Sequence, residues 1–141
     1  MILRRISLTT KLGKLEALAK TLQNLQKKVD KKKFLSDEII QKAIERLLQQ
    51  AIEAVLDISD HIISDKGLKK GQDYKDSILI LGEHRILPQK FADHLAKAAG
   101  FRNILVHDYI DLDTEKVFQH FKEDIKDLQI FLKHIAEFTN L

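Results

Sequence analysis

Apolar residues return at threes and fours along most of the chain. Leu8, Leu12, Leu15, Ala19, Leu22 and Leu25 line one side of a helix. Ile40, Ile44, Leu47, Ala51, Val55, Ile58 and Ile62 line a second, with Ala43, Leu48 and Ile52 adding a neighbouring stripe. A helix apolar over so wide an arc has to be covered on more than one side, so it belongs at the centre. Ser36 or Asp37 can cap its start. The stretch 65–73 holds two glycines and no periodic apolar residue, which predicts a loop. Asp73 then caps a third helix of about four turns that ends near Ile86 and Leu87. Pro88 suits the first turn of a fourth helix, which carries Phe91, Leu95, Ala98 and Leu105. Asp111 or Asp113 caps a fifth, with Phe118, Phe121, Ile125, Leu128, Leu132 and Ile135 on its inner face. No useful length alternates with period two. The pattern predicts an all-α fold, an antiparallel bundle of about five helices forming a single domain over residues 1–141.

Composition agrees with that picture and narrows the chemistry. The 141 residues are 44% hydrophobic and 32% charged, which suits one folded domain rather than a disordered chain. Cysteine is absent, which excludes a disulfide framework, a thiolate metal site and a cysteine nucleophile, and fits a reducing compartment. "MILRRISLTT" lacks the apolar core of a signal peptide, and no apolar run reaches membrane-spanning length. A cytoplasmic protein with no membrane partner is expected. The net charge of +3 is uneven. Residues 1–70 carry 15 Lys and Arg against 9 Asp and Glu; residues 71–141 carry 9 against 12. Five lysines fall within 27–33, "KKVDKKK", where the first helical pattern breaks. That run reads as a solvated loop, and the basic half is compatible with RNA or another polyanion.

The fourth helix holds the anomaly. Its stripe of Phe91, Leu95 and Ala98 reaches Arg102 next, then Leu105 and Tyr109. An arginine therefore stands where a core residue belongs, and burying a guanidinium without a partner is expensive. Either the stripe leaves the core there, or an acid meets Arg102. Gly100, two residues earlier, disfavours a helix interior and suits close approach to the backbone. His107 follows five residues after Arg102, so on a regular helix the two point roughly 140° apart. They converge only if the helix ends or distorts, or if a second copy supplies one of them. Otherwise His107 is a histidine at a helix C-terminus, favoured there by the dipole. Glu53, Asp57 and Asp60 form a polar strip on the second helix: a solvated face, or the source of a partner for Arg102 or His107. His61, His84, His94, His120 and His134 show no metal-binding spacing, and no glycine-rich phosphate loop is present, so neither metal nor cofactor is expected.

"FRNILVHDY", 101–109, resembles the Arg-Asn-x-x-x-His motif of the HEPN superfamily. In particular it is similar to the HepT toxins of HepT/MntA toxin–antitoxin pairs, with Arg102, His107 and Tyr109 in the pattern Arg-x4-His-x-Tyr. "RLLQQAIEAVLDISDHII", 46–63, resembles the family's long second helix, and "DLQIFLKHI" its fifth; the likeness covers most of 35–138. The resemblance implies a metal-independent endoribonuclease acting as a homodimer. Arg102 and His107 would be catalytic, and Asn103 would support phosphate binding or the local backbone. It implies an RNA substrate and an MntA-like partner, a minimal nucleotidyltransferase antitoxin that attaches AMP to Tyr109. The alternative within the same superfamily is a non-catalytic HEPN subunit that binds nucleotide or a nucleotidyltransferase.

Overall fold

In a computed structural model, the structure describes residues 2–107 and 113–140, with side chains for 5–105 and 113–140. The described residues form seven helices: α1 (Ile2–Lys28), α2 (Lys31–Ser36), α3 (Glu38–Asp65), α4 (Tyr74–Glu83), α5 (Gln89–Ala99), α6 (Phe101–His107) and α7 (Thr114–Thr139). The wide apolar arc of α3 does what it predicts. That helix packs against α1, α2, α4, α6 and α7, while α1 also lies along α7 and α4 along α5. Of its second stripe, Leu48 and Ile52 are buried and Ala43 is exposed. One continuous apolar core threads the bundle, with Phe34, Phe121 and Phe131 among its fully buried side chains. Among the described residues no helix is long and apolar enough to cross a membrane.

Three elements differ from the sequence reading. The lysine run is not a loop. Lys27 and Lys28 close α1, and Lys31–Lys33 open α2, because the Asp30 carboxylate accepts the Lys33 N–H at 2.7 Å and starts a new helix. That helix drives Phe34 into the core against Phe118 and Phe121, at ring distances of 5.4 and 6.5 Å, while its lysines stay in solvent. The third helix stops early. Arg85 adopts a left-handed φ of 58°, and the Ile86 N–H returns to the Leu81 carbonyl at 2.9 Å, ending α4 at Glu83 and turning Ile86 and Leu87 inward. Pro88 is the N-cap of α5, one position before the first turn expected for it.

The fourth helix is divided. Gly100 separates α5 from α6 with a tightened turn, its N–H on the Lys97 carbonyl at 3.1 Å and its own carbonyl on the Asn103 N–H at 3.3 Å. A Cβ at Gly100 would lie 3.1 Å from the Lys97 oxygen, so the position favours glycine. The break changes which face is inside. The buried residues of α5 are Ala92, Leu95, Ala96 and Ala99, whereas Phe91 and Ala98 are only half-buried. Beyond the break, Phe101 and Leu105 point into the core. Arg102 is thereby turned away from it.

Candidate functional site

Arg102 lies on α6 where that short helix crosses the middle of α3. Its guanidinium Nη2 meets Glu53 Oε1 at 3.4 Å, and Gln49, one turn earlier on α3, donates to the same oxygen at 3.1 Å. Both alternatives left open by the sequence are thus realised: the stripe leaves the core, and an acid meets the arginine. The side chains of Arg102 and Glu53 are 31% and 39% exposed. A pair this open is worth at most about 1 kcal/mol, so an incoming phosphate can displace the carboxylate. The Nε atom is a different matter. It is sealed from solvent and, among the described residues, has no hydrogen-bond partner. The root of the guanidinium is therefore enclosed by the fold, while Nη2 at its outer end meets Glu53.

Asn103 is exposed, and its amide donates to the Tyr74 hydroxyl at 3.1 Å, tying α6 to the first residue of α4. On its inner side α6 is held by Phe101, whose ring lies flat on the His120 imidazole, centroids 3.9 Å apart and planes within 8°. His120 Nδ1 lies 3.0 Å from Asp124 on α7. Asp124 is buried, and burial pushes its carboxyl above the ordinary carboxylate range, with His120 drawing it back down. A parallel pair stands beside it, His94 Nε2 on Asp127 at 2.8 Å, joining α5 to α7. The sequence reading missed both pairs. The only signal was the i,i+4 spacing of His120 and Asp124, which exposed helix faces show as often.

The other expected residues fall as follows. His107 is the last residue of α6, and the helix runs unbroken from Arg102 to it. The expected angle of roughly 140° between their positions around the axis therefore stands. Tyr109 and Asp111 lie outside the described residues; Asp113 is the observed cap of α7, accepting from Glu115 N at 3.0 Å. Of the acids near Glu53, Asp57 meets Lys11 at 3.3 Å, and Asp60 accepts from the Ser77 hydroxyl. Neither reaches Arg102.

A helical bundle that breaks its fourth helix at a glycine, and presents Arg102 and Asn103 with His107 in the Arg-Asn-x-x-x-His spacing, defines a HEPN protein. The family model of the ribonuclease HepT-like proteins matches residues 15–135, and the chain belongs to that family; its enzyme class is endoribonuclease. The chain is 33% identical over 129 residues to the tRNA nuclease HepT of Aphanizomenon flos-aquae, spanning 89% of this chain and 86% of that one. It is 29% identical over 122 residues to the mRNA nuclease HepT of Shewanella oneidensis, spanning 86% and 92%. The fold superposes with a TM-score of 0.83, at 28% identity and over 92% of this chain and 96% of the other, on a tri-AMPylated Shewanella oneidensis HEPN toxin solved in complex with an MNT antitoxin.

Proposed function

We propose that this protein is the toxin of a toxin–antitoxin pair, an endoribonuclease that cuts RNA without a metal ion at a site built on Arg102 and His107. The observation that carries the reading is the placement of Arg102: turned off the apolar face beyond Gly100, its stem enclosed as far as Nε, and lightly held by Glu53 at Nη2. A guanidinium so mounted offers a permanent, forked charge to phosphate oxygens. His107 supplies an imidazole, a group whose unperturbed pKa near ~6.5 suits proton transfer at neutral pH. One imidazole takes the proton of a ribose 2′-hydroxyl, and the 2′-oxygen forms a bond to the neighbouring phosphorus. The P–O5′ bond breaks, and an imidazolium returns a proton to the leaving oxygen. Arg102 stabilises the charge on the phosphorane between these steps. The products are a 2′,3′-cyclic phosphate and a 5′-hydroxyl. Asn103, steadied by Tyr74, supports the phosphate side of the cleft.

The unbroken run of α6 supports a homodimer, since two copies related by a twofold axis bring the divergent Arg102 and His107 of opposite chains into one cleft. A minimal nucleotidyltransferase is the antitoxin, and Tyr109, two residues beyond His107, accepts AMP from ATP. The added phosphate and bulk then repel RNA. The likeness to an AMPylated HEPN toxin bound to an MNT antitoxin supports this partner. The test is cleavage of defined RNA by wild type, Arg102→Ala and His107→Ala. Each substitution should lower the rate by about 100-fold or more with the helical circular dichroism unchanged. Wild type that cuts no RNA would turn the reading to a non-catalytic HEPN subunit, and variants that cut as well as wild type would move the catalytic site away from Arg102 and His107.

A further inference from the structure

Helix α6 is seven residues long, far shorter than a helix needs to hold itself in water. The tightened turn at Gly100 also interrupts the regular helical hydrogen-bond ladder between it and α5. Its direction is therefore set by what it touches. At its first residue the contact is the flat stack of Phe101 on His120, a ring-on-ring seat that fixes both position and tilt. His120 is fixed in turn, with Nδ1 at 3.0 and 3.2 Å from the two oxygens of Asp124. Asp124 is only 7% exposed, on a buried face of α7 that carries Phe121, Ile125 and Leu128 and one other buried acid, Asp127. An apolar residue there would avoid the cost of burying a carboxyl group. What the carboxylate supplies is orientation: it sets the plane of the imidazole on which Phe101 lies.

We infer that His120, oriented by Asp124, is a positioning residue for the ribonuclease site: through its stack on Phe101 it fixes the angle at which α6 leaves the Gly100 break, and so the direction of Arg102. The inference rests on the proposed catalytic role of Arg102. The second pair provides an internal comparison. His94 and Asp127 repeat the chemistry with the acid on the same helix, α7, but their histidine lies on α5, so that pair joins α5 rather than α6 to α7.

The experiment uses the full chain and reads two things: kcat and KM on a defined RNA, and hydrogen exchange of the α6 amides. His120→Ala should lower kcat about tenfold and leave KM within about twofold, because binding survives while the reacting groups are misaligned. Exchange should quicken across 101–107 and stay slow in α3. His120→Phe, which keeps a flat ring under Phe101, should restore most of both, and His94→Ala should match wild type. Asp124→Asn, with its volume kept, should show the same pattern at about threefold in kcat, and serves if His120→Ala does not fold. Wild-type kcat and α6 protection in His120→Ala and Asp124→Asn would overturn the inference. So would an equal loss in His94→Ala. If wild type cuts no RNA, the ribonuclease reading fails by itself, and the exchange data still decide: quickened exchange confined to α6 upholds the brace, and unchanged exchange overturns it.

Discussion

Arg102 shows how a single residue can announce a site. A guanidinium in an apolar stripe is a conflict between local pattern and burial, and the structure resolves it with a broken helix and one acid from α3. The conflict and the strip containing Glu53 are both readable from spacing. Which acid answers is not, since Glu53, Asp57 and Asp60 differ only in height along α3, and the break at Gly100 sets that height. Replacing Glu53 with Gln should leave stability within about 1 kcal/mol, since the pair is half-open, and should tighten RNA binding several-fold by removing a competitor of phosphate. Melting curves and fluorescence anisotropy would check both. Titration offers a further test. Asp124 has its folded pKa raised from the ordinary 3.8, so its contribution is favourable below that value and is lost as pH rises through the raised one. Asp37 and Asp76 carry the opposite sign. The Ile40 and Asp73 backbone N–H groups lower them, so their contributions hold above 3.8 and fade as pH falls. Asp124→Asn should therefore gain more stability relative to wild type at pH 7 than at pH 3.5, measured by urea unfolding.

Helix ends decided most of what the pattern could and could not say about the elements. The starts were readable, because Asp37, Asp73 and Asp113 advertise caps chemically. The ends were readable where glycine marks them. Gly67, at φ 64°, closes α3 with Gly67 N on the Ser64 carbonyl and Leu68 N on the Ile63 carbonyl. Arg85 closes α4 in the same arrangement, with Arg85 N on Gly82 and Ile86 N on Leu81, but no glycine signals it. Arg85→Gly should therefore stabilise the protein by about 0.5–1 kcal/mol, and Gly67→Ala should cost about 1 kcal/mol, as thermal unfolding would show. The short α2 escaped notice for another reason: six residues cannot display a period, and its one inward residue is Phe34. Phe34→Ala should cost about 3–5 kcal/mol, and Asp30→Ala about 1 kcal/mol.

At the scale of the whole molecule, the central position of α3 and the all-helical class follow from apolar arcs alone, whereas the function needed the matching of Arg102, His107 and Tyr109 to a family pattern. The proposed dimer makes a prediction that one chain cannot. If each cleft takes Arg102 from one copy and His107 from the other, mixing inactive Arg102→Ala with inactive His107→Ala should recover a fraction of the wild-type rate. A mixture that stays inactive, or light scattering that shows only monomer at micromolar concentration, would overturn the cleft shared between two copies. The antitoxin prediction is read by intact mass. Wild type incubated with its partner and ATP should gain AMP, and Tyr109→Phe should not; an equal gain in both would move the acceptor elsewhere.

The sealed Nε of Arg102 has a consequence for the life of the protein in a cell. A donor sealed from water and, among the described residues, unanswered holds the folded state about 1–3 kcal/mol below what the same backbone could reach. Arg102→Met keeps the stem and removes that donor. It should melt several degrees higher while losing cleavage, and so resist proteolysis better and accumulate to a higher level. Harmless copies would then outlast harmful ones, and a population selected only for abundance would drift toward inactivity at this position. Retention of arginine there would be the mark of continuing selection for cleavage itself.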